Sequence, residues 1–163
     1  MSGRDQEEIG YGRSVAFAYE QSLAQEPWRA ERPSSLQVTL FLLTLFTTTM
    51  AGAQVSPAFR ALAVEDLGYK ALLRPSILVH GLPFSLSLLL ILGIHEMGHY
   101  MASRAWRVRA TIPYFIPFPV SFIGTLGAVI RIRSRIPNRK ALIDIGASGP
   151  IAGFIVAVTA LSY

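Results

Sequence analysis

His95, Glu96 and His99 form a His-Glu-x-x-His pattern, with Met97 and Gly98 between the outer residues. Residues four apart share one face of a helix, so both imidazoles can reach a single metal ion at Zn–N distances of about 2.0 to 2.1 Å. Glu96 projects about 100° round the helix from His95, where it can face a water polarised by the metal. Such a set hydrolyses peptide bonds: water acidified by zinc gives its proton to the carboxylate, which returns it to the leaving amine. The chain has no cysteine, so any metal must be held by His, Asp or Glu.

The motif closes an apolar run, Ile77 to Ile94, that contains no Asp, Glu, Lys or Arg and is expected to continue as a helix towards Arg104. Two more runs are long enough to cross a bilayer at 1.5 Å rise per residue: Leu36 to Val55 without a charge, and Ala141 to Tyr163 with Asp144 as its only acid. A hydrophobic fraction of 52% and a mean hydropathy of +0.42 are too high for an ordinary soluble domain. The expected fold is mainly α: a polytopic membrane protein with three transmembrane helices and a short membrane-associated β-hairpin between the second and third. In hydrocarbon, two histidines and a glutamate are costly unless they bind an ion or line a wet cavity. His80 precedes His95 by about 22 Å of helix, too far to share its metal, and reads as an interfacial or packing residue.

Charge sets an orientation. Residues 101 to 140 carry eight Lys or Arg and no acid, whereas the 56 to 76 loop carries three basic and two acidic residues. The positive-inside rule then places 101 to 140 and the N-terminus in the cytoplasm, with the second helix running outside to inside. The net charge of +5 lies beside apolar segments and not along a soluble face, which argues against nucleic acid as a partner. The lipid bilayer and a membrane protein substrate are the partners implied.

Residues 1 to 35 read as a polar cytoplasmic tail, with one short helix from Val15 to Gln25 and an interfacial anchor at Trp28, Arg29 and Arg32. Their six acids disfavour an organellar transit peptide. Residues 36 to 163 form the membrane core. Pro113, Pro117 and Pro119 exclude a regular helix after the second span. Ile130 to Ile136 alternates apolar and polar residues, the period of a strand with one buried face. That strand either packs on the helices or offers Ile130 and Ile132 on an edge that pairs with an unwound substrate.

Beyond the motif, PYFIPFP at 113 to 119, GTLGAVIRIRS at 124 to 134, PNRKAL at 137 to 142 and DIGASGPIAG at 144 to 153 follow HEMGHY at 95 to 100 in order. In these stretches the chain resembles the site-2 protease family of intramembrane zinc metalloproteases, especially its bacterial and plastid branch. The resemblance implies zinc at His95 and His99, Glu96 as acid and base, cleavage of transmembrane or membrane-proximal segments, and residence in a bacterial cytoplasmic membrane. It also implies a third ligand, an aspartate in an Asp-Gly motif on a later helix, and no such motif follows Asp144. Asp144 is either that ligand's substitute or a helix N-terminal acid favouring the dipole. Gly146, Gly149 and Gly153 match a glycine-rich helix start, read here as helix packing. The chain is expected to be an N-terminal fragment with little activity alone. The alternatives are a non-catalytic homologue that binds metal or a partner segment, and a transporter with a metal pathway.

Overall fold

The structure, a computed structural model, describes residues 32–63, 72 and 74–162. The expected helix Val15 to Gln25 and the anchor residues Trp28 and Arg29 lie outside them. Helix α1, Ser35–Gln54, opens on a reciprocal cap in which the Ser34 hydroxyl accepts from Gln37 N and the Gln37 side chain accepts from Ser34 N. Short helices α2, Pro57–Ala63, and α3, Pro75–Leu78, follow. A 3-10 turn, Val79–Gly81, then leads into α4, Leu82–Ala105. Strands β1, Tyr114–Pro117, and β2, Thr125–Val129, precede the last helix, α5, Arg139–Leu161, which Asn138 caps at Ala141 N.

Among the described residues three helical segments are long and apolar enough to cross a membrane: Ser35–Gln54, Pro75–Ala105 and Arg139–Leu161. Their packing is inverted relative to a soluble bundle. In α1 the buried residues are Gln37, four threonines, Ala51, Gly52 and Ala53, while Leu36, Leu42, Leu43 and Phe46 face outward. In α5 Gly149 and Gly153 are buried and Ile151, Phe154 and Ile155 are exposed. Lipid chains solvate large apolar side chains as well as a protein core does, so small residues that let backbones approach take the interior. The threonines keep their hydroxyls satisfied: Thr44 donates to Leu40 O and Thr48 to Thr44 O at 2.8 and 2.7 Å. Between α1 and α4, the Thr48 and Ser85 hydroxyls share a hydrogen bond of 2.6 Å.

The second span is one helical segment, Pro75–Ala105, as expected from Ile77 onward, but it carries a 3-10 turn near its start. Pro83 has no N–H to give the carbonyl of Val79 and its ring crowds that position, so the chain tightens into the 3-10 turn and α4 starts at Leu82.

The hairpin lies between the second and third spans, as expected, but its second strand is Thr125–Val129 and not Ile130 to Ile136. β1 and β2 are antiparallel, with Tyr114 opposite Val129, Phe115 opposite Ala128 and Ile116 opposite Gly127. The ladder stops at Tyr114 because Pro113 has no donor to extend it. Farther out only an isolated bridge, Ala110 to Ile132, survives. The hairpin runs along α1: the Phe41 and Phe115 rings meet edge to face at 5.1 Å, and the Thr47 hydroxyl donates to Gly124 O at 2.6 Å. Thr47 is about 18 Å along α1 from Ser35 by helical rise, so the hairpin reaches deep beside that span. Gly124, at φ 80°, makes this approach possible, since a Cβ there would strike the Thr47 carbonyl.

Candidate metal centre

His95 and His99 lie on α4 one turn apart, both half-buried, with their Nε2 atoms 3.2 Å from each other. The rings meet at 74°, edge towards face, with centroids 4.9 Å apart. Glu96 is 7% exposed and shares the inward stripe of α4 with Ser85, Leu89 and Ser103, spaced by one or two turns. Met97, next in sequence, is turned outward. The helix thus buries the carboxylate while the imidazoles stand beside it.

What holds the imidazoles is α5, which runs antiparallel to α4. His99 Nδ1 lies 2.6 Å from Ile145 O, and since a carbonyl only accepts, that nitrogen carries the proton. A Cβ on Gly149 would overlap the His99 ring, and one on Gly153 would come within 3.1 Å of His95 Nδ1. In the other direction, a Cβ on Gly98 would meet Ser148 O at 2.6 Å. Gly146, by contrast, has open space around its Cβ position. The expectation of helix packing for the glycines is therefore too general: Gly149 and Gly153 are the floor on which the imidazoles rest. Their own spacing of four matches that of the histidines and is the sequence signal that was available.

The remaining candidates are not gathered here. Asp144 is exposed and accepts from Trp106 Nε1 at 3.1 Å, and among the described residues it forms no metal-holding group with the imidazoles. It also lies beyond the first turn of α5, where no acid occurs, so it is not a first-turn dipole acid either. His80 stands in the 3-10 turn, exposed, with Nδ1 2.8 Å from Ser76 O. Ile130 is half-buried and Ile132 is 41% exposed, so the alternating burial expected over 130 to 136 is absent. Around Ile132, Thr111 N donates to Arg131 O and Arg133 N to Arg109 O. Flanking bonds of this kind leave the N–H and C=O of Ile132 directed away from residues 109 to 111.

Residues 83–163 match Peptidase family M50. This part of the chain is a domain of that family. The matched region contains α4, the hairpin and α5, the elements that carry and seat the histidine pair. Among curated proteins, the chain is 37% identical over 78 residues to "Probable zinc metalloprotease EGY2, chloroplastic" of Arabidopsis thaliana, covering 48% of this chain and 14% of that protein. It is 32% identical over 131 residues to "Probable zinc metalloprotease EGY1, chloroplastic" of Oryza sativa subsp. japonica, covering 72% of this chain and 22% of that protein. The Arabidopsis EGY1 protein of the same description is 38% identical over 78 residues, 48% of this chain and 14% of its own length. The chain thus spans between 14% and 22% of these relatives. No solved structure matches it.

The zinc in those names can be tested against the residues present. Two nitrogens bound to one tetrahedral zinc lie about 3.3 Å apart, from Zn–N distances of about 2.0 to 2.1 Å. The observed 3.2 Å between His95 and His99 fits that separation. The pair is half of a tetrahedral set, and among the described residues no group of three or more His, Cys, Asp or Glu could hold a metal ion. Catalytic zinc sites usually draw three ligands from protein.

Proposed function

We propose that the chain supplies two zinc ligands and the proton-transferring carboxylate of an intramembrane metalloendopeptidase of the site-2 type. The observation that carries this reading is the 3.2 Å approach of the two Nε2 atoms beside a buried Glu96 on a membrane-length helix. His95 and His99 would hold the ion, and a third ligand would come from outside the described residues. Zinc held there would supply Lewis acidity, polarising the scissile carbonyl and lowering the pKa of a water so that it gives up a proton. Glu96 accepts that water's proton on a carboxylate oxygen and later delivers it to the leaving nitrogen. Its burial keeps bulk water from competing for the carboxylate.

Substrates are membrane proteins, cut within or beside a transmembrane segment. A helical segment shields its peptide bonds by hydrogen bonding, so it must unwind before attack. The outward-directed N–H and C=O of Ile132, next to Ile130, offer an edge on which an unwound segment pairs as an added strand. The cationic segment 101 to 140 lies on the cytoplasmic side with the N-terminus, in a membrane of bacterial type.

One observation favours a second reading, a homologue that binds metal without hydrolysis: only two metal-ligating side chains come together among the described residues. On either reading two ligands by themselves would neither hold zinc firmly nor orient a water. The readings separate when the complete protein in lipid vesicles is given a transmembrane reporter, stripped with chelator and reloaded with zinc. Cleavage lost and restored in step with zinc supports the peptidase. Zinc uptake without cleavage supports the second reading.

A further inference from the structure

Helix α5 treats the two histidines differently. His99 is held at two points, by the Ile145 carbonyl 2.6 Å from Nδ1 and by Gly149, whose missing Cβ leaves the space that the ring fills. His95 rests against Gly153 more loosely, and among the described residues no acceptor meets its Nδ1. Its only ring contact of this kind is the Nε2 to Nε2 approach to His99. The protons follow from the chemistry of the acceptors. His99 carries its proton on Nδ1, so with both rings neutral its Nε2 presents a lone pair and His95 Nε2 donates to it in the metal-free pair.

We propose that Ile145 and Gly149 are positioning residues that preset His99 as a ready ligand, whereas His95 enters the metal site only by moving its proton from Nε2 to Nδ1. The assignment rests on the zinc reading above only in its second half; the tautomer of His99 is a property of the metal-free fold. A metal-ligating histidine needs its second nitrogen oriented by a hydrogen bond, and loss of such a partner costs about 10- to 100-fold in metal affinity. Here the partner is a main-chain carbonyl, which no side-chain substitution removes, so the glycine that brings it close is the point of access. The neighbouring Gly146 is a matched control on the same helix, because a Cβ there meets nothing.

The test uses 15N-labelled histidine in the purified protein, in which the chain has three histidines to distinguish. In the metal-free wild type, His99 should show the Nδ1–H form and His95 the Nε2–H form; on titration with zinc alone, His95 should change to Nδ1–H and His99 should not. Gly149→Ala should lose the His99 signature and bind zinc at least about 10-fold more weakly, whereas Gly146→Ala should keep both. A helical, monodisperse Gly149→Ala protein with wild-type zinc affinity overturns the proposal, and so does an Nε2–H His99 in the metal-free wild type. A wild type with the expected His99 tautomer but no zinc uptake would refute the zinc reading and support the seat.

Discussion

The Nε2 atoms of His95 and His99 face each other at 3.2 Å, closer than two imidazoles need to pack and close to the separation two ligands of one zinc adopt. A double variant, His95→Ala with His99→Ala, should therefore retain no zinc above background after purification. Elemental analysis against wild type measures this. Equal zinc content in the two proteins would remove the pair from the metal site.

Residues 101 to 140 carry eight cations and no acid, so Asn138 and Tyr19 are expected in the cytoplasm and Asp66 outside. The chain has no native cysteine, so single cysteines at these positions report without background. An impermeant maleimide added outside intact cells should label position 66 and spare 19 and 138. Labelling of 138 from outside would invert the topology.

The shared hydrogen bond of 2.6 Å between Thr48 and Ser85 joins the first and second spans where their small residues meet. Interhelical hydrogen bonds in membranes average about 0.6 kcal/mol, because the separated helices also find partners. Ser85→Ala should lower stability by about that amount, measured by unfolding in mixed detergent. A loss several times larger would mean that the hydroxyl pair anchors more than one contact.

The apolar runs and the His-Glu-x-x-His pattern were readable in the sequence because each is local: length, hydropathy and a four-residue spacing suffice. The seat was not, because Gly149 meets His99 and Gly153 meets His95 only through the antiparallel register of two helices. The four-residue spacing common to both pairs hints at that register but does not fix it. The strand was misplaced for a related reason. Ile130 to Ile136 has the right alternation, but its partner segment is limited by Pro113, so pairing settles on Thr125–Val129 and leaves Ile132 a lone bridge. The opening cap of α1 at Ser34 and Gln37 was local too, and the Ser-x-x-Gln spacing is its signal.

Proline at Ile132 separates the two roles of that edge. The hydrogen bonds that hold it to residues 109 to 111 use Arg131 and Arg133, so Ile132→Pro deletes an outward donor and leaves those bonds in place. In the complete protein, cleavage of a membrane reporter should fall while zinc content stays at the wild-type level. Unchanged cleavage would assign the edge to packing alone.

Glu96 is proposed to move the proton in a zinc-dependent cleavage within the membrane. Glu96→Gln keeps the side chain's size at a buried position and both histidines, but removes the proton acceptor. The decisive measurement compares wild type and Glu96→Gln, as complete proteins in vesicles, for zinc content and for cleavage of a transmembrane reporter. Equal zinc is expected, with a fall in turnover of at least about 10²-fold, the lower end for lost general acid–base catalysis. Cleavage by Glu96→Gln at the wild-type rate would contradict it.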